Sequence, residues 1–271
     1  MPRILLHPGF HKTGTSSLQR GAADLQRTLR PHLRLIFTQD LIDATRMAKR
    51  FSAYGDHADL NRFADTFTAA IRRIDASDPR ALMITSEDLC GYIPGNHGVT
   101  TYAAAAPLMN VATAVLAAHF GPDAALGVLF TTRAPRDWQR SVWWQNLRAL
   151  RLTEEFETYR AHLSGAADLA TIVDSVDARI RHRATVLDAP IEETGADPLG
   201  PLGLALDHLE VPRDGLPPLP AHNVQPDGAA EELLALNRSA LSDTDLAEAK
   251  RAVLKRYRAA GATRQTRATP A

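Results

Sequence analysis

Cysteine is almost missing from this chain. Cys90 is the only one, which excludes an intramolecular disulfide and any cluster of thiolate metal ligands and fits a reducing compartment. Net charge is missing too. Lys plus Arg number 31 and Asp plus Glu number 31, so no global field would hold the protein on nucleic acid or an acidic membrane, and any anion site must be local. Long apolar runs are also lacking. The first run, Arg3-Ile4-Leu5-Leu6, breaks at His7 and Pro8 and is too short for a secretory signal. The most apolar stretch, Tyr102 to Phe120, is mostly alanine and is interrupted by Pro107, Asn110 and His119, which argues against a membrane span. The 10 histidines are scattered and have no cysteine partners, so no metal site is expected.

What is present is the composition of a globular domain. The 271 residues are 45% hydrophobic and 23% charged, enough for a sizeable core. The expectation is one soluble, cytoplasmic domain over 1–258 and a flexible tail over 259–271. The approach to that tail is basic (Lys250, Arg251, Lys255, Arg256, Arg258) and continues with Arg264 and Arg267.

Strands are expected at Arg3–Leu6, Leu33–Phe37, Ala81–Thr85, Ala125–Thr131 and Thr185–Ile191. Ala125–Thr131 is continuous enough to be buried on both faces. Between them lie helical patterns. Leu18, Ala22, Leu25 and Leu29 repeat at helical spacing, 40–75 is helical in composition, and an alanine-rich helix over 103–119 stops at Gly121-Pro122. Pro135 opens another helix, in which Trp143, Leu147 and Leu150 share the face expected to meet the core. A further helix is expected over 198–209. Strands alternating with helices imply an α/β fold with a mostly parallel sheet. Glu210–Gly228 holds Pro212, Pro217, Pro218, Pro220 and Pro226 and reads as a loop before two C-terminal helices.

The segment between the first strand and first helix carries the chemistry. It reads Gly9-Phe10-His11-Lys12-Thr13-Gly14-Thr15-Ser16-Ser17-Leu18. Small residues there let successive backbone N–H groups converge on an anion, the helix start adds partial positive charge, Thr and Ser hydroxyls can donate, and Lys12 adds a full charge. An ordinary capped helix start explains the hydroxyls but not the lysine. A Walker A loop, Gly-x4-Gly-Lys-Ser/Thr, requires Lys directly after the second Gly, whereas here Lys12 precedes Gly14 and Thr15 holds that place.

The string His11-Lys12-Thr13-Gly14-Thr15-Ser16-Ser17 resembles the 5′-phosphosulfate loop of the sulfotransferase family, with His11 where the family has Pro. A second segment, from Thr131 to Ser141, resembles that family's 3′-phosphate site: Arg133 at a strand end and Ser141 in the next helix, eight residues apart. The resemblance implies a P-loop NTPase-like three-layer α/β fold, a bacterial member of the family, and 3′-phosphoadenosine-5′-phosphosulfate (PAPS) as donor with adenosine 3′,5′-bisphosphate (PAP) as product. It implies His11, Lys12, Thr13, Gly14, Thr15, Ser16, Ser17, Arg133 and Ser141 as the donor-binding residues, and no metal. The family's late Gly-x-x-Gly-x-x-Lys loop has no counterpart, and no role carries over onto Asn223 or Asn237-Arg238-Ser239.

Transfer of a sulfuryl group is, like phosphoryl transfer, a problem of positioning and electrostatics. Lys12 is expected to meet charge on the leaving phosphate. Glu87, at the end of the strand expected beside the first, is the expected base. The alternative is that Ser86-Glu87-Asp88 caps the next turn. His7, His11 and His97 compete for the base role, with His7 equally readable as a core imidazole and His97 in a loop over the acceptor pocket. Trp138 is a candidate liner of the nucleotide site. Cys90 reads as a small hydrophobe. The acceptor is a small molecule, lipid or carbohydrate bearing a hydroxyl or amine. The other readings are a magnesium-dependent ATP kinase of the P-loop type and a non-catalytic nucleotide-binding protein.

Overall fold

The computed structural model describes residues 2–220 and 228–268, with side chains as far as 257. Its five strands are β1 (Arg3–His7), β2 (Leu33–Ile36), β3 (Ala81–Thr85), β4 (Ala125–Thr132) and β5 (Thr185–Pro190). All pair in parallel, in the order β2-β3-β1-β4-β5. The helices after β1 are α1 (Thr15–Asp24) and the short α2 (Gln26–Leu29); α3 (Ile42–Tyr54) and α4 (His57–Ile71) follow β2. Next come α5 (Ala105–Phe120) after β3, then α6 (Pro135–Ala149), α7 (Phe156–His162) and α8 (Leu169–Ile180) after β4. The chain closes with α9 (Ile191–Thr194), α10 (Pro201–His208), α11 (Ala229–Asn237) and α12 (Asp243–Ala268).

Parallel strands need crossovers, and crossovers cover both sheet faces, which is why β1, β3 and β4 are apolar at successive positions and not at alternate ones. Alternation instead sorts side chains between layers. Leu5, Met83 and Leu129 join Leu18, Ala22 and Leu25 of the α1 stretch and Leu202, Ala205 and Leu206 of α10 in one buried cluster. On the other face α5 and α8 contact β4. β4 is buried from Leu126 to Thr132.

The chain folds as two compact units. The first is Met1–Trp138 with Leu163–Pro220 and contains the sheet. The second is Gln139–His162 with the chain from Ala221 on, described from Gly228. In the second unit, polar side chains hold the C-terminal end of α6. Lys250, only 5% exposed, donates from Nζ to the Leu147 carbonyl at 2.8 Å and the Leu150 carbonyl at 2.6 Å. Asn237 Nδ2 donates to the carbonyls of Leu147 (3.1 Å) and Leu152 (2.7 Å). Lys250 thus supplies donors to carbonyls that a helix end leaves unpaired. Burial, with Arg151 nearby, lowers its pKa. Lys250→Met should therefore lower stability by about 1–3 kcal/mol, measured as a drop in urea midpoint at pH 7. An unchanged midpoint would mean that water replaces the ammonium at no cost.

Two expectations need correction or placing. Leu150 is 38% exposed and does not join the core face that Trp143 and Leu147 share, because α6 ends at Ala149 and the helical spacing stops applying there. Asn223 lies outside the described residues.

Candidate active site

The connection leaving β1 turns towards β2, while that leaving β4 turns towards β5 on the opposite side. In an open parallel sheet this reversal leaves a crevice beyond the carboxyl ends of the two strands, where ligands bind. Residues 8–14 follow β1 at that point and Arg133 follows β4. Glu87 and Asp88 come two and three residues after the end of β3, the other neighbour of β1.

The loop after β1 is tightly wound. Gly9 has φ +53, and a Cβ there would stand 2.4 Å from Thr15 Oγ1, so only glycine fits. Lys12 also takes a left-handed conformation, φ 69, one of three non-glycine residues with positive φ among those described. Gly14, at φ 90, starts α1 with no side-chain cap, and the first turn of α1 carries no acidic residue. The leading N–H groups of a helix have no intrahelical acceptor. Here they stand uncapped beside Lys12, an arrangement that favours an anion.

Two hydroxyls of the motif point inward. Thr13, fully buried, donates from Oγ1 to the Phe10 carbonyl at 2.7 Å and pairs with Thr131 Oγ1 of β4 at 2.8 Å. Thr15 Oγ1 also donates to the Phe10 carbonyl, at 3.1 Å. These bonds tie the loop to β4, so what Thr13 and Thr15 offer a ligand is backbone. Ser16 and Ser17, in the first turn of α1, are half-exposed.

His11 is held at every polar atom. Its backbone N–H donates to Tyr102 Oη at 3.1 Å, and its Nδ1 lies 3.1 Å from the same oxygen. Its carbonyl accepts from Trp138 Nε1 at 2.9 Å, and its Nε2 stands 3.6 Å from Asp88 Oδ1. The second Asp88 oxygen meets Lys49 Nζ at 2.7 Å. Burial would raise the Asp88 carboxyl, but the contacts with His11 and Lys49 outweigh it and hold its pKa below the usual carboxylate range. Burial, with Cys90 and Glu87 adding to it, pushes the Tyr102 phenol well above its ordinary value, so it keeps its proton.

Glu87 is half-exposed and has no hydrogen bond or ion pair among the described residues. Ser86 makes no side-chain cap to the turn that follows it, which removes the capping alternative for this segment. Ser86 Oγ instead accepts from Thr38 Oγ1 at 2.9 Å. Arg133 is half-buried at the first position after β4, and the next N–H, of Ala134, donates to Glu192 at 3.0 Å. Ser141 is half-exposed on α6 and belongs to the second unit.

Trp138 differs from its expectation. It is fully buried, edge-on to Tyr102 with ring centroids 6.2 Å apart, and serves as a donor to the loop rather than an open wall of a pocket. The sequence carries no local sign of this role, nor of Tyr102's, because both act through contacts with His11 made by distant segments. His7 is buried at the end of β1 with Nδ1 2.8 Å from Thr85 Oγ1. His97 is exposed, with its ring 4.1 Å from that of Tyr92. Cys90 is buried, and burial pushes its thiol pKa up, away from reactivity. Among the described residues no helix is long and apolar enough to cross a membrane.

No family model matches the chain, and no curated protein matches it. Among solved structures, a sulfotransferase from Alicyclobacillus acidocaldarius is similar at 20% identity, over 88% of this chain and 92% of that one, with a TM-score of 0.48.

Proposed function

We propose that this chain is a sulfotransferase that moves the sulfuryl group of PAPS to the hydroxyl or amine of a small-molecule, lipid or carbohydrate acceptor in the cytoplasm. One observation carries this reading: an uncapped helix start, wound by Gly9, Lys12 and Gly14, at the point where the sheet's connections diverge. The displaced lysine favours the sulfotransferase loop over a Walker A loop. The residues fit an anionic nucleotide, since the loop brings backbone donors and an ammonium together where no carboxylate of the first turn opposes them. When bound, the donor supplies an activated sulfuryl group and a phosphate leaving group.

The chain's own groups then divide the work. Backbone N–H groups from Thr13 to Ser16, the Ser17 hydroxyl and the Lys12 ammonium hold the 5′ side, while Arg133 and Ser141 are assigned the 3′-phosphate by resemblance; the Ser17 N–H already donates to the Gly14 carbonyl at 2.9 Å. Glu87 accepts the acceptor's proton, since its carboxylate is accessible and unpaired, whereas Asp88 is committed to Lys49 and His11. His11 was a candidate base as well. With both ring nitrogens engaged, it is assigned to holding the loop.

The deciding measurement is thermal stabilisation by adenosine 3′,5′-bisphosphate in EDTA, set against ATP with Mg²⁺. At ~100 times its dissociation constant a specific ligand adds about 2.7 kcal/mol. The bisphosphate should stabilise the wild type without metal and fail to stabilise Arg133→Ala. Stabilisation by ATP with Mg²⁺ alone would replace this reading with a kinase.

A further inference from the structure

We propose that His11 is a positioning residue that fastens the loop over 89–101 to the phosphate loop, so that an anion bound at Lys12–Ser17 orders the acceptor side of the site. The inference rests on the reading above for what the two loops bind. The geometry that suggests it does not.

The segment after β3 leaves the sheet at Thr85 and enters α5 at Ala105. Its two ends grip the same imidazole. Asp88 stands at Nε2 and Tyr102 at Nδ1 and at the backbone N–H. Tyr102 Oη accepts the His11 backbone proton and shares a second hydrogen bond with Nδ1, while Nε2 faces the Asp88 carboxylate at 3.6 Å.

Between those ends the loop is a small closed body. The Gly95 N–H donates to the Val99 carbonyl at 2.9 Å, the Val99 N–H to the Asn96 carbonyl at 3.0 Å, and His97 packs on Tyr92. Its outer side rests on α3, where Ser52 Oγ accepts the Tyr92 N–H at 2.9 Å and Lys49 reaches both Asp88 and the face of Tyr92. His97, at φ 50, is a second strained non-glycine residue at this end of the sheet. The residue after His11 is the left-handed Lys12. Any movement of the phosphate loop that changes the Lys12 peptide therefore moves the atoms that Asp88 and Tyr102 hold.

Coupling of this kind is read by hydrogen exchange of 89–101 in the full chain, with and without saturating adenosine 3′,5′-bisphosphate. In the wild type the ligand should slow exchange there by about tenfold, within the usual range for coupled sites. Tyr102→Phe keeps the ring against Phe10 and Trp138 but removes both bonds to His11. In that variant, protection of 12–18 should persist while the slowing of 89–101 is lost, and His11→Ala should behave alike. A merely structural tie would raise exchange equally with and without ligand and leave the ligand's effect intact, which would overturn the proposal. So would protection of 12–18 in the wild type with no change at 89–101. If the bisphosphate protects neither segment, the nucleotide reading itself falls and takes this one with it.

Discussion

Lys12→Ala should lower turnover about 10²–10³-fold, the loss seen when one preorganised charge-stabilising group is removed, while the affinity for adenosine 3′,5′-bisphosphate falls by less than about tenfold. The asymmetry follows from what else holds the ligand. In the proposed reaction, backbone donors at the start of α1 and Arg133 would meet charge that is present before and after reaction, whereas an ammonium in the loop under the 5′-phosphate would act most where charge grows as the bond to sulfur breaks. Lys12 is suited to that task by its backbone. Its φ of 69 is costly for a side-chain-bearing residue, and such strain persists where surrounding contacts enforce it. Those contacts are the clamps on His11 and the Thr13 bonds to Phe10 and Thr131. Single-turnover rates and bisphosphate titrations on wild type, Lys12→Ala and Lys12→Arg would decide it. Equal losses of rate and affinity would make Lys12 a simple binding residue.

Much of the sheet was legible because its signals are local. Ala-Leu-Met-Ile-Thr and Ala-Leu-Gly-Val-Leu-Phe-Thr are apolar runs with turn residues at their ends, and both are strands within a residue of the expected bounds. The loop was legible for the same reason, since Gly9, Lys12 and Gly14 lie within a few residues of one another. What escaped was set by distant pairs. Trp138 read as a candidate liner of the nucleotide site and Tyr102 carried no reading of its own, and only the fold brings them onto His11. Lys49 gave no sign of meeting Asp88, because α3 reaches that carboxylate only after the chain has crossed β3. The inward turn of Thr13 and Thr15 was equally hidden, as a hydroxyl in such a motif can serve ligand or loop and the sequence does not say which way it faces.

His7 gives the second large effect, on stability against pH. Burial lowers its pKa from 6.5 to about 3. The contacts around it explain why a second proton is unwelcome. Gln19 Nε2 donates to Thr85 Oγ1 at 3.3 Å, His7 Nδ1 lies 2.8 Å from the same oxygen, and Nε2 is buried with no partner among the described residues. Protonating the ring would leave a charge in the core with Nε2 unpaired. Between about pH 3 and 6.5 the unfolded chain therefore binds a proton that the folded chain refuses, and stability rises with pH across this window. The contribution is fully present above about pH 6.5 and is lost on acidification at about 1.4 kcal/mol per pH unit. Over two units that approaches 3 kcal/mol, a large share of the ~5–15 kcal/mol that holds a domain together. Urea titrations at pH 7, 6, 5 and 4 on wild type, His7→Gln and His7→Phe would isolate it, because titrating carboxylates contribute alike to all three. The variants should be less stable at pH 7 but lose less on acidification, so that the curves converge near pH 5. Parallel curves would mean that the imidazole takes up its proton in the folded state, and that the end of β1 beneath the phosphate loop is open to water.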